Sequence, residues 1–167
     1  IIRRVREIRP DINLTSDFIV GYPGETDAEF QTTMDFISEV NFSDAYSFIY
    51  SPRPGTPASL ERDNVSYDIK LKRLDQLKDL ISYQSKKYSE KMLGKTESVL
   101  VEGISVKRKD EVFGRTDNNK VVNFRGDDTL IGNLIDVNID EIRGNTLHGT
   151  VSNPCVNTNN NYEQKIF

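Results

Sequence analysis

The chain has 167 residues, 36% of them hydrophobic and 29% charged, with a formal net charge of −4. This is the balance of a globular protein with enough apolar residues for a core, and it excludes both a disordered polyelectrolyte and a uniformly basic nucleic-acid binder. A lone cysteine, Cys155, closes no internal disulfide and holds no metal cluster by itself, which fits a reducing compartment such as the cytoplasm; no apolar run is long enough to cross a bilayer.

In chain order, Ile2, Val5 and Ile8 share a helical face among Arg3, Arg4 and Arg6, and Pro10 ends that helix. The alternation of charge with isolated aliphatics is unlike a signal peptide. A helix leading straight into an apolar strand reads as the second half of a repeating β/α unit, so the expectation is a piece of a longer protein with earlier strands missing; the alternative is an N-terminally processed complete domain. Leu14–Val20 reads as a buried strand ended by Gly21. Thr26 and Glu29 form a capping box, with Asp27 and Glu29 at the positive end of the helix dipole. Phe30, Met34, Ile37 and Val40 give the buried face of the helix, which stops near Asn41. DAYSFIY, Asp44–Tyr50, reads as the next strand and runs into the stiff loop SPRPGTPAS. Two strands joined by one helix should lie parallel through a right-handed crossover, with GYPGET and YSPRPGTPA at the edge where such sheets bind ligands.

Ser66–Leu93 reads as a helix with a stripe of Leu74, Leu77, Ile81, Tyr88 and Met92 and Gly94 as its C-cap. Beyond it, ESVLVEG, EVFGRT, KVVNF, LIGNLIDVNIDEI and TLHGTV are β-prone runs punctuated by Gly, Asn and Asp, the pattern of a small antiparallel, OB-like barrel. The expected organisation is an α/β part over 1–65, a helical linker over 66–93, a β-barrel over 94–151 and an asparagine-rich, poorly ordered tail over 152–167.

Gly21 and Gly24 in GYPGET either serve a tight turn or leave backbone bare for a flat heterocycle. Arg53, between two prolines, is placed either to grip a carboxylate or phosphate or to sit on a rigid surface turn. Phe48 and Tyr50 share a strand face and are either core or stacking residues. In the barrel, Lys107, Arg108, Lys109, Arg115, Lys120 and Arg125 cluster in sequence around Asn118 and Asn119. Residues Lys95–Phe167 nevertheless carry nine basic against eleven acidic side chains, so any basic patch needs segregation onto one face. His148 stands alone and reads as a strand residue. No nucleophile–base pair, metal-ligand spacing or Walker loop is present, so the sequence assigns no catalytic residue and no metal ligand.

DFIVGYPGET, the capped helix and DAYSFIYSPRPGTPA resemble the last part of the radical-SAM domain of tRNA methylthiotransferases. The long helix and GRTDNNKVVNF resemble the linker and TRAM domain that end those enzymes, of the MiaB type in particular. The resemblance covers Ile1 to about Val151. It implies the closing β/α units of a partial TIM-like barrel followed by an RNA-binding barrel. The implied activity adds a methylthio group to C2 of isopentenyl-adenosine beside the anticodon. One S-adenosylmethionine donates methyl to sulfur, and another is cleaved to a radical that abstracts hydrogen from C2. The family also binds two four-iron clusters, one on a CxxxCxxC loop; those cysteines are absent here, so the resemblance implies a C-terminal part that is inactive alone.

By the same resemblance, Val20, Gly21, Tyr22, Phe48, Tyr50 and Arg53 are implied at the S-adenosylmethionine site, with Arg53 open to tRNA phosphate instead. Arg115, Asn118, Asn119, Lys120 and Arg125 are implied to hold the tRNA anticodon stem-loop. The implied partners are that stem-loop, the missing N-terminal domains, a sulfur donor and an electron donor. The alternatives are an enzyme acting on threonylcarbamoyl-adenosine and a stand-alone RNA-binding protein with a scaffold α/β part; a ribosomal-protein methylthiotransferase fits SPRPGTPA and the DNN turn poorly.

Overall fold

The computed structural model describes residues 1–152, so Cys155 and nearly all of the asparagine-rich segment lie outside the described residues. The chain forms two compact units, Ile1–Lys91 and a second unit that begins at Met92.

The first unit opens with helix α1, Ile2–Ile8, which buries none of its residues. Strand β1, Thr15–Val20, is followed by helix α2, Asp27–Val40, and strand β2, Asp44–Ile49. The two strands are parallel in the register Asp17↔Tyr46, Ile19↔Phe48 and Val20↔Ile49. The ladder is extended at its ends by Ser43 N–H donating to the Leu14 carbonyl and Tyr50 N–H donating to that of Val20, both at 2.9 Å. The sequence places α2 well. Thr26 accepts from the Glu29 N–H and the Glu29 carboxylate accepts from the Thr26 N–H, which completes the capping box. At the other end Asn41 takes a left-handed conformation (φ +55°), which Asn tolerates better than most residues.

Helix α3 runs over Tyr67–Glu90 with Ser66 as N-cap. It packs with α2 around Val20, Phe30, Ile37, Val40, Phe42, Leu74, Leu77 and Ile81. Ile37 and Leu77 are fully buried, and each side chain of this kind contributes roughly 2 kcal/mol. Two polar residues of α3 are satisfied inside this core: Gln84 donates to the Ile37 carbonyl at 3.0 Å and accepts from the Phe42 N–H at 3.1 Å, and the Tyr88 hydroxyl donates to the Asn41 carbonyl at 3.1 Å.

Strand β1 is not buried as its apolar run led one to expect. Its residues alternate, and only Val20 is fully covered. Helices lie on one face of this two-stranded sheet, so the period-two alternation of strand side chains leaves the other face open. Phe18, Ala45 and Ile49 point to the helices, while Ile19, Tyr46 and Phe48 are 57%, 74% and 53% exposed.

The second unit is a closed barrel of five strands: β3, Thr96–Ile104; β4, Glu111–Thr116; β5, Val121–Arg125; β6, Leu134–Arg143; and β7, Thr146–Val151. The order around the barrel is β3-β4-β5-β7-β6, with β3 also paired to β6. All pairs are antiparallel except β5–β7, which is parallel. This is the OB-like arrangement, with one pairing that departs from the antiparallel expectation. Val99, Val101, Val112, Val122, Phe124, Val137, Ile139 and Leu147 fill the core.

Two assignments shift. Met92 does not extend the stripe of α3; it lies beyond the end of that helix and joins the barrel core. Gly94 has φ +74°, but the helix has already ended at Lys91 and Gly94 serves the turn into β3, its N–H donating to the Ile139 carbonyl at 2.8 Å. The run LIGNLIDVNIDEI also begins as a 3-10 turn, Asp128–Leu130, and enters its strand only at Leu134. Among the described residues no helix is long and apolar enough to cross a membrane.

Candidate functional site

The ends of β1 and β2 bring the first six candidate residues together. Val20 is buried and its carbonyl is taken by the Tyr50 N–H. Gly21 has φ +72°, and a Cβ there would stand 2.4 Å from Cγ of Lys70. Its N–H donates to the Glu25 carboxylate at 2.7 Å. Of the two readings of Gly21, these contacts favour the tight turn: the missing side chain makes room for the stem of Lys70, and the amide is already satisfied.

Charged side chains from α3 fix this turn. Arg73 donates through Nη1 to the Glu25 carboxylate at 2.8 Å and the Glu25 carbonyl at 3.0 Å, and through Nη2 to Asp27 at 2.7 Å. Its guanidinium also sits 5.4 Å from the centre of the Phe30 ring. Lys70 is buried and pairs with Asp63 at 2.6 Å; Asp63 is thereby held below the usual carboxylate range, chiefly by the hydrogen bond from Lys70. Sequence reading passed over Lys70 and Arg73, because a lysine and an arginine inside an amphipathic helix look like its solvated face.

Of the remaining candidates of this edge, Tyr22, Phe48 and Arg53 are exposed and Tyr50 is half-buried. Tyr22 and Tyr50 meet edge to face, 5.3 Å between ring centres. Tyr22 and Arg53 are exposed, and Phe48 stacks beside Tyr46 on the open sheet face. Tyr46 and Phe48 differ by two in sequence and share that face; Tyr50 lies just past the strand end. The Tyr50 hydroxyl is buried with no hydrogen-bond partner, and burial raises its pKa, with the nearby Tyr22 adding to the shift.

On the barrel, the second set of candidates is spread over the β4–β5 turn and beyond. Arg115 pairs with Glu102 at 3.3 Å and donates to the Asn119 side-chain oxygen at 3.1 Å. Asn119 carries the turn, with φ +60°. Asn118 is half-buried and Arg125 exposed. Lys120 is buried, at 8% exposure, because its position alternates with Val121 to face inward. Of the five, Asn119 and Arg125 are exposed, Arg115 and Asn118 are half-buried, and Lys120 alone is buried.

A groove of about 450 Å³ lies elsewhere on the barrel, between β4, β5 and β7 and the loop after β3, lined among others by Arg108, Phe113, Asn123, Arg143, Thr146 and His148. Burial lowers the pKa of His148, helped by Arg143. Sequence reading named Arg108 and His148 separately but not their sharing one groove; strand register aligns His148 with Asn123 and Phe113, which linear spacing does not reveal. Among the described residues no cluster of histidine, cysteine, aspartate and glutamate can hold a metal ion.

Residues 90–152 match the TRAM domain family; the barrel is a TRAM domain. The chain as a whole is homologous to enzymes that modify tRNA, over about nine-tenths of its length. It is 51% identical over 152 residues to the tRNA-2-methylthio-N(6)-dimethylallyladenosine synthase of Nitrosomonas eutropha, covering 91% of this chain and 34% of that protein. It is 52% identical over 148 residues to that of Aeromonas hydrophila, covering 89% and 31%, and 50% identical over 151 residues to that of Sodalis glossinidius, covering 90% and 32%. The chain thus spans about a third of the length of the curated relatives it matches.

Proposed function

We propose that this chain is the C-terminal part of a radical S-adenosylmethionine enzyme that adds a methylthio group to C2 of isopentenyl-adenosine next to the tRNA anticodon. In this reading the β1–α2–β2 unit is a closing segment of a partial parallel barrel, and the TRAM domain holds the anticodon stem-loop. The observation that supports it is the sheet of the first unit. Its helices cover one face only, as on the outside of a parallel barrel, and the other face carries uncovered Ile19, Tyr46 and Phe48, an apolar surface suited to further strands or a lumen.

For S-adenosylmethionine, the residues of the strand edge fit in part. Tyr22 and Phe48 offer accessible rings and Arg53 offers a guanidinium for a carboxylate, whereas the Tyr50 hydroxyl is buried. Gly21 contributes shape to the turn instead of a free amide. When bound, the cofactor supplies the methyl group and the radical; these residues orient it. For iron–sulfur clusters the described residues do not fit, since they include no cysteine.

The test is to read the coding sequence upstream of Ile1 and to assay the product of the whole reading frame for deoxyadenosine release and for methylthiolated nucleoside in tRNA. A CxxxCxxC motif upstream, with both products formed, is the expected result. Its absence, or an intact product that leaves isopentenyl-adenosine tRNA unmodified, refutes the assignment.

A further inference from the structure

One line of side chains crosses the barrel through the groove. Gly103 of β3 is the register partner of Phe113 on β4, Phe113 of Asn123 on β5, Asn123 of His148 on β7, and His148 of Glu141 on β6. Five residues scattered over the sequence thus stand in one row. The β-bulge between Val101 and Gly103 sets the phase of β3. A Cβ on Gly103 would lie 3.1 Å from Cε1 of Phe113, so the glycine lets the ring settle against β3. Phe113 is half-buried there, with an amide and an imidazole as its neighbours along the row.

Two arginines line the groove. Arg108, on the loop after β3, is held by Glu111 at 3.0 Å, and Arg143, at the end of β6, by Glu141 at 2.7 Å. Each carboxylate fixes its guanidinium while leaving further N–H donors, of which arginine has five. Lys107 adds a third cation, against Glu111 as the carboxylate in the lining. A flat apolar platform, an amide that both donates and accepts, and preset cations together match one ligand chemistry. A base stacks on the ring, its edge meets Asn123, and its phosphate meets arginine. The face of the second and third strands of such barrels, with the loops at its ends, is also where oligonucleotides lie in the wider fold class. The volume of about 450 Å³ falls within the range of small-ligand sites.

We propose that this groove receives one unpaired nucleotide of RNA, with its base stacked on Phe113, its edge read by Asn123 and its phosphate held between Arg108 and Arg143. The inference rests on the TRAM domain's holding tRNA, and deepens it. It places the discriminating contact at Phe113 and Asn123, not at the Arg115–Asn119 turn. A paired base has both faces stacked within its helix, so a duplex cannot use the platform.

The test measures binding of the purified whole chain to a labelled RNA hairpin with an unpaired loop and, separately, to a blunt duplex of the same stem. Phe113→Ala is expected to weaken hairpin binding by about tenfold or more and to leave duplex binding unchanged. Phe113→Leu keeps apolar volume for folding and loses the aromatic face, so it should weaken the hairpin in the same direction, with circular dichroism confirming the fold. Asn123→Ala should narrow the preference among hairpins that differ in one loop base. If the parent chain binds the hairpin and a folded Phe113→Leu binds it within about twofold of the parent, the pocket is refuted while RNA binding by the domain stands. If the parent chain binds neither RNA, the pocket and the tRNA-holding reading fail together.

Discussion

Arg73 on α3 and Glu25 in the turn after β1 form a buried ion pair, 2.8 Å apart, with side chains 6% and 13% exposed. The same guanidinium reaches Asp27 and lies over Phe30, so one side chain of α3 joins the GYPGET turn to the first turn of α2. Removing one partner of such a pair leaves a desolvated charge without its counterpart, which is worse than never having had the pair. Arg73→Ala should therefore destabilise the chain by about 3 kcal/mol or more in urea unfolding. Adding Glu25→Gln should return part of that loss, and a strictly additive double variant would show that the two do not interact.

Gly21 sits directly under Lys70, and its φ of +72° is costly for a side-chain-bearing residue. Gly21→Ala adds a Cβ into the Lys70 stem as well. It should lower stability by more than the ~1–2 kcal/mol of the backbone term alone. In a Lys70→Ala background the contact is relieved and the backbone term remains, so the penalty of Gly21→Ala should shrink but not vanish. Equal penalties in both backgrounds would mean that the lysine stem is not what fills the space.

These two residues show where the sequence was legible and where it was not. The strand–turn–helix–strand order, the capping box and the five barrel strands are local signals, carried by spacing and by Thr, Gly and Asn at turns, and each appears close to its expected place. Burial depends on what lies opposite. The apolar run of β1 does not say that one of its faces is uncovered, and the lysine and arginine of α3 do not say that they turn inward to meet Asp63 and Glu25. Lys120 looked like a surface cation for the same reason. The groove row was illegible because Phe113, Asn123 and His148 become neighbours only through pairings that include the parallel β5–β7 contact.

The capping box carries a pH signature. Hydrogen bonds from the Thr26 backbone and side chain hold the Glu29 carboxyl below its ordinary value. A depressed carboxyl contributes stability that is present above its unfolded pKa and lost as pH falls through the folded one. Thr26→Ala should cost about 1 kcal/mol at neutral pH. The difference between parent and variant should narrow as pH drops below the ordinary glutamate range, because protonated Glu29 no longer accepts as strongly. A difference independent of pH in acid unfolding curves would assign the effect to the bond the hydroxyl accepts from the Glu29 N–H and not to the one it donates to the carboxylate.

Gly114 and Gly149 are the close-approach points of the barrel. A Cβ at Gly114 would lie 2.2 Å from the Leu100 carbonyl oxygen, and one at Gly149 would lie 2.1 Å from that of Asn138. Backbone atoms held in the ladder cannot step aside as a lysine stem can. Gly149→Ala should therefore disrupt the β6–β7 pairing and remove the cooperative melting of the barrel strands, read by amide exchange over β6 and β7. Gly132→Ala, at a position whose Cβ meets open space, should cost only the backbone term of its φ of +83° and leave those amides protected. Protection unchanged in Gly149→Ala would refute the close approach.

The uncovered sheet face makes the last prediction. Phe48 pairs across the strands with Ile19 and stacks with Tyr46 at 6.5 Å between ring centres, yet all three stay more than half exposed. Folding of this chain therefore gains little from them, whereas Ile37, fully buried between the helices and the sheet, is a core residue. Phe48→Thr, which keeps strand propensity, should change unfolding free energy by less than about 1 kcal/mol, against about 2–5 kcal/mol for Ile37→Ala. An uncovered apolar face also promotes association, so Ile19→Thr combined with Phe48→Thr should shift sedimentation toward monomer at high concentration. If, as proposed, this face meets further strands in the whole reading-frame product, the same pair should instead impair activity there. A large stability loss from Phe48→Thr in the chain alone would show that this face is already part of a core, and would remove the structural support for a parallel barrel continued by other strands.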